Sequence, residues 1–367
     1  MNYKKIICCV IIFTLAVLTS YAQQHDPESD FRAEPIDGGR AVRITGYLGS
    51  NWSVRIPPRI QNLPVTEIGE RAFSNRSLIS VTFPNSITTI GSRAFSDNQL
   101  TSVTIHNGVT HIGDSAFYNN QLTSVSIPNS VTLIGNYAFV NQTLMAINVS
   151  SGNQNYSSID GVLYNKSGAT LLLWPQGKIP VSIPNGVTTI GDGVFSSMDE
   201  YGHLLTSINI PNSVTHIGTR AFSGNRLTNI IIPNSVTHIG TRAFSGNQLT
   251  SIIIPGSVSN IGNSAFSHNQ LTSVTISNGV TSIDMHAFTG NRLSSVTIPN
   301  SVVSIESQAF ADNPLISVTF EGSNVRFNSL SFPVEQFTST NLFEVYTRGR
   351  AGTYTRSSPN SATWTKR

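Results

Sequence analysis

Cysteine is nearly absent from this sequence. The 367-residue chain has two, Cys8 and Cys9, and both fall in a segment that reads as a cleavable export signal. Once that segment is removed, no thiolate remains for a disulfide or a zinc site. Charge is scarce as well. Asp, Glu, Lys and Arg make up 11% of the residues, against roughly 25% in ordinary soluble domains. The formal net charge of +3 falls to +1 when Lys4 and Lys5 leave with the signal. A protein that recruits nucleic acid needs far more positive charge, so no nucleic-acid partner is expected. Long apolar runs are also missing. Residues 6–18 form the longest, and they fall short of the roughly 20 needed to span a bilayer. No integral membrane span is therefore expected in the mature chain. The common catalytic signatures are lacking too: there is no G-x-S-x-G elbow, no P-loop and no H-E-x-x-H. The 19 acidic residues stand at unrelated positions, so no carboxylate pair is favoured for glycoside chemistry. The expectation is a non-enzymatic protein with no cofactor and no metal.

The start of the chain has the layout of a secretory signal over residues 1–22. A basic pair precedes the short apolar run, and Ser20-Tyr21-Ala22 then puts small residues at the −3 and −1 positions of a cleavage site after Ala22. Residues 23–30 are polar and are expected to form a disordered leader.

What fills the remainder is a repeat. Phenylalanine recurs at Phe73, Phe95, Phe117 and Phe139, then at Phe195, and again at Phe222, Phe244, Phe266, Phe288 and Phe310, with a spacing of 22 inside each regular run. Five residues before the Phe of each regular coil stands an isoleucine such as Ile239, and five after it a leucine such as Leu249. A fixed period in this range marks a solenoid, whose coils each touch only their neighbours. In one coil Leu249, Ile252 and Ile254 have the spacing of a short strand with its apolar side turned inward. A proline turn follows, then a second short extended segment at Val258 and Ile261, and Asn263-Ser264-Ala265-Phe266 reads as one helical turn. Stacked coils place like residues on like, so the phenylalanines are expected to form a spine of touching rings. Each ring would contribute about 1.5–3 kcal/mol of burial. The expected fold is mainly β, a right-handed solenoid of 22-residue coils with a parallel sheet on one face and short helical turns.

The ends of a solenoid need covers. Residues 31–66, with a turn signal at Asp37-Gly38-Gly39, are expected to form the N-terminal cap. The solenoid is placed at 67–320. Within it, an irregular coil at about 145–183 carries a hairpin around Asn165-Lys166-Ser167-Gly168, and residues 197–203 form an extra loop. Residues 321–367 are read as a C-terminal β cap or attachment element, with short strands at 342–346, 352–356 and 362–365.

The unit L-T-S-V-T-I-P-N-S-V-T-x-I-G-x-x-A-F-S-x-N, closest to its full form at 122–141, resembles the BspA-type leucine-rich repeat of bacterial surface antigens. The resemblance covers roughly residues 31–320. It implies a secreted or surface-exposed binding protein without catalysis, and some relatives are adhesins for host matrix proteins or other cells. Many relatives carry cysteine in the last corner of the coil. Here Asn98, Asn120, Asn225, Asn247, Asn269, Asn291 and Asn313 stand there, where an amide ladder could satisfy buried backbone groups.

Function on such a scaffold belongs to its exposed columns. The outward strand positions include Ser102, Thr104, Ser124, Ser126, Asn209, Ile231, Ile253, Thr275 and Thr297, a hydroxyl-rich face suited to many weak contacts with an extracellular protein or a cell-surface ligand. In that column Ile231 and Ile253 would give a small apolar anchor, although single exposed apolar residues are also common. Two alternatives stay open. A glycan-binding or carbohydrate-active protein would use the hairpin at 160–175, with Tyr164 and Trp174 as stacking platforms; a purely structural envelope component would use no site. His111, His216 and His238 share one register, but imidazoles without a third ligand make a weak metal site. Arg71, Arg93, Arg220 and Arg242 share another, read first as a solvated face and second as a stripe for anions.

Overall fold

The structure is a computed structural model and describes residues 25–197, 204–327, 331–332 and 341–367. The expected signal peptide, its cleavage site after Ala22 and the loop at 198–203 lie outside the described residues.

The repeat folds into the expected solenoid coils with parallel strands. The chain forms two compact units. One runs up to Leu144 and includes Val149–Asn155; the other comprises Met145–Asn148 and Tyr156–Arg367. Each opens on an antiparallel hairpin. In the first, Phe31–Ile36 pairs with Ala41–Tyr47 across the turn at Asp37–Gly39, and Ala41–Tyr47 then pairs in parallel with Leu63–Ile68. In the second, Val162–Asn165 pairs with Thr170–Leu173, and Thr170–Leu173 pairs in parallel with Thr189–Ile190. The hairpin read as an irregular coil at about 145–183 is thus built like a second N-terminal cap. An added strand, Tyr156–Ile159, lies antiparallel to Val162–Asn165.

The continuous parallel ladders run along the second short segment of each coil. The first unit stacks Thr89–Ile90, His111–Ile112 and Leu133–Ile134 on its cap. The second stacks Thr189–Ile190, His216–Ile217, His238–Ile239, Asn260–Ile261, Ser282–Ile283 and Ser304–Ile305. Threonine hydroxyls reinforce these ladders from the outside, each donating to a carbonyl one coil back, as Thr110 does to Thr88 at 3.1 Å and Thr215 to Thr188 at 3.1 Å. The main strand segment, expected to form the sheet, pairs in shorter pieces such as Ser251–Ile254 with Ser273–Ile276 and Ser295–Ile298 with Ser317–Phe320.

The corner before each Phe is not helical. Ala265 donates to Gly262 and Ser267 to Ser264, which makes two overlapping turns. The residue two before the Phe takes a left-handed conformation in coil after coil: Arg71, Arg93, Ser115, Arg220, Arg242, Ser264 and His286 all have φ between 53° and 58°.

The ends depart from expectation in two places. Residues 26–30 are not a free leader, since Asp26 donates its N–H to Arg55 and Glu28–Asp30 form a 3-10 turn. At the C-terminus the strand expected at 342–346 is a helix, Leu342–Gly349. Leu342 and Tyr346, one helical turn apart, are its buried residues, and the Tyr346 ring rests 4.6 Å from that of Phe320. Gly352–Thr355 is a strand as expected and pairs antiparallel to Ser317–Phe320, covering its open edge.

Candidate functional site

The scaffold is held from inside by two columns. The rings of Phe73, Phe95, Phe117 and Phe139 stack at centroid distances of 4.9, 5.5 and 5.5 Å. In the second unit those of Phe195, Phe222, Phe244, Phe266, Phe288 and Phe310 stack at 5.2–5.7 Å. All ten are buried. The columns also run past the motif. Tyr47 lies under Phe73 at 5.5 Å, Trp174 under Phe195 at 6.0 Å, and Phe332 over Phe310 at 5.0 Å. Phe332 keeps the 22-residue spacing after Phe310, but the motif around it has gone, and only the bare interval could have revealed it.

Beside the rings runs the asparagine column. Asn247 donates through Nδ2 to the carbonyls of Phe222 and Phe244 at 2.9 and 3.1 Å, and its Oδ1 accepts the N–H of Leu227 at 3.1 Å. Asn98, Asn269, Asn291 and Asn313 repeat the pattern. These carbonyls and amides face the core, where an unpaired group costs about 1–3 kcal/mol. The side chain of each coil thereby closes the backbone of the one before it.

On this frame the strand face stands outward. Ser102, Thr104, Ser124, Ser126, Asn209, Ile231, Ile253, Thr275 and Thr297 are all exposed. Burial alternates as the strand spacing required, with Ile252 and Ile254 inside and Ser251 and Ile253 outside. Ile231 and Ile253, on successive coils, leave 76% and 64% of their surface in water. Polar Asn209 and Thr275 continue the column on either side of them.

The hairpin alternative fails on geometry. Tyr164 is 1% exposed and Trp174 5%, because both seal the head of the second unit. The Trp174 indole donates to the Lys178 carbonyl at 2.9 Å, and burial pushes the Tyr164 hydroxyl above its usual pKa. Neither ring can receive a sugar. His216 and His238 are exposed partners in the ladder, with ring centroids 5.8 Å apart, and among the described residues no group of three His, Cys, Asp or Glu side chains could hold a metal ion. Of the arginine column, Arg71 and Arg93 are exposed on the first unit, while Arg220 and Arg242 line a cleft on the second. Among the described residues no helix is long and apolar enough to cross a membrane.

No curated protein matches this chain. Among solved structures it is similar to a leucine-rich repeat protein from Eubacterium ventriosum, at 26% identity and a TM-score of 0.54, over 78% of this chain and 93% of that one. It is also similar in fold to the pneumococcal vaccine antigen PcpA, at 22% identity and a TM-score of 0.50, over 80% and 81% of the two chains. The model of the BspA-type leucine-rich repeat region matches six copies across residues 55–167, 179–291 and 259–348. With most of its length accounted for by that repeat, the chain belongs to the BspA-type leucine-rich repeat family.

Proposed function

We propose that this is an exported, non-catalytic protein, secreted or held at the cell surface, that recognises an extracellular protein or a neighbouring cell through the strand face of its second unit. The observation that carries this reading is the exposure of Ile231 and Ile253 in an otherwise polar column. Ile252 and Ile254 beside them are buried, so the register is fixed and the outward isoleucines cannot turn in without turning their neighbours out. A branched apolar pair ringed by hydroxyls and amides has the make-up of an interaction centre with a wettable rim. The basic n-region, short apolar run and small-residue cleavage site support export.

The experiment is binding of residues 23–367 to immobilised extracellular-matrix glycoproteins and to cultured cells, beside the double variant Ile231→Lys/Ile253→Lys. Both substitutions place a charge in water and leave the core intact, so thermal unfolding should stay unchanged. The wild type is expected to bind at least one surface, and the variant at least tenfold more weakly. Equal binding by both proteins would remove the strand face from the recognition.

A further inference from the structure

The second unit carries a cleft of about 360 Å³ lined by Arg220, Ser223, Arg242, Ser245, Ser264, Ser267, His268, His286 and Thr289. It lies at the Phe corner and not on the strand face. Four successive coils build it, those of Phe222, Phe244, Phe266 and Phe288, whose rings are spaced at 5.2, 5.3 and 5.7 Å. Two guanidinium groups and two imidazoles line it together with hydroxyls, and no carboxylate does.

The first unit shows why the cleft is open. Two residues after the Phe, its coils carry Asn75, Asp97 and Asn119, with the Asn119 amide donating to the Asp97 carboxylate at 3.0 Å. The same register in the second unit holds Ser197, Gly224, Gly246, His268, Gly290 and Asp312. On the four coils of the cleft three of these side chains are missing, and the acid of this register, Asp312, stands one coil beyond them. Arg93 thus shares its coil with an acid, whereas Arg242 shares its coil with a glycine and the next coil supplies His268. None of the ion pairs among the described residues involves Arg220 or Arg242.

We propose that this cleft binds an acidic polysaccharide, gripping its sulfate or carboxylate groups with Arg220 and Arg242 while Ser223, Ser245, His268 and His286 meet the sugar hydroxyls. Guanidinium is suited to the task because its planar fork holds an oxyanion through two hydrogen bonds. Two of them on successive coils match a chain whose charges repeat. The corner disfavours an acidic peptide. An extended peptide binds by completing a sheet edge, but here the N–H groups of Arg220, Phe222, Gly224, Arg242, Phe244 and Gly246 already donate to the following coil at 2.8–2.9 Å. The lining also holds no aliphatic residue and no Phe, Tyr or Trp that would anchor a peptide side chain.

The test is equilibrium binding of residues 23–367 to heparin, polygalacturonate and poly-L-glutamate at low and physiological salt. Arg220→Ser/Arg242→Ser is compared with the control Arg71→Ser/Arg93→Ser. Serine occupies the same register at Ser115 and Ser264, so the coil accepts it, and matched melting temperatures confirm that both variants fold. At least one of the two polysaccharides should bind, more weakly as salt rises. Which of them binds assigns sulfate or carboxylate as the recognised group. The cleft variant should lose at least tenfold in affinity and the control less than twofold. Poly-L-glutamate binding as tightly as the polysaccharides, equal losses in the two variants, or no polysaccharide binding at all would each overturn the assignment. Because the cleft and the strand face are separate surfaces, failure here leaves the strand-face reading standing.

Discussion

At Asn247 one carboxamide serves two coils. Its oxygen accepts from Leu227 of the preceding coil, while its nitrogen donates to Phe222 of that coil and to Phe244 of its own. The serine of the Pro-Asn-Ser turn does related work, as Ser235 donates to the Val214 carbonyl at 2.7 Å and Ser257 to that of Val236 at 2.6 Å. A chain with few charges can still be polar and well ordered, because its short hydroxyls and amides are spent on the backbone of the coil before. Replacing Asn247 by Ala leaves the Leu227 N–H unpaired in the core and takes one of two amide donors from each of the Phe222 and Phe244 carbonyls, which keep Asn225 and Asn269. This should lower stability by about 1–3 kcal/mol in urea unfolding. Asp at the same position should cost more, since a second acceptor would then face two carbonyl oxygens. An Asp variant as stable as the wild type would show that the carboxamide donors are not needed.

Among the elements, the caps show where reading from sequence succeeds and where it stops. The turn at Asp37-Gly38-Gly39 and the hairpin around Asn165-Lys166-Ser167-Gly168 were both legible, because local turn chemistry marks them. That the second hairpin heads a new unit was not. Its parallel pairing with Thr189–Ile190 is a long-range fact without a local sign. The Leu342–Gly349 helix was misread because Val345 and Tyr346 favour strands, whereas the four-residue interval between Leu342 and Tyr346, which sets both against one surface, was the better guide. The longest ladders lie on the segment of Val258 and Ile261, legible as a short extended piece but not as the main sheet, because two residues per coil are too few to display a strand's alternation. The caps also hold the three tyrosines whose ionisation burial suppresses most clearly: Tyr47, Tyr164 and Tyr354, each raised above the usual 10 chiefly by loss of water. Once unfolded, these residues give up their protons near that value, so above it the folded state holds more protons than the unfolded one. Stability should therefore fall as the pH rises past 10. Denaturant unfolding from pH 8 to 11 tests this, with absorbance at 295 nm following tyrosinate. Tyr164→Phe should flatten the decline; an identical slope in that variant would remove the hydroxyl as its source.

At the scale of the whole molecule, each unit is a one-dimensional array in which a coil contacts only the coils beside it. For that reason outward residues such as Ile231, Ile253, Arg220 and Arg242 can vary without disturbing the Phe and Asn columns. It is also why the partner was beyond reach from sequence, since the repeat dictates what points inward and leaves the outward positions free. Both proposed binding surfaces depend on this stacked frame, in which each coil is closed by side chains of the next. Hydrogen exchange read by mass spectrometry on the wild type and on Asn247→Ala measures it directly. In the wild type the slowest amides should lie in the Phe corners and at the capped leucines, including Phe244 and Leu227. In the variant, exchange should quicken around Leu227 and Phe244 and leave the coils of Phe288 and Phe310 as protected as before. Fast exchange at those corners in the wild type, or loosening spread evenly over the second unit in the variant, would contradict a frame built coil upon coil.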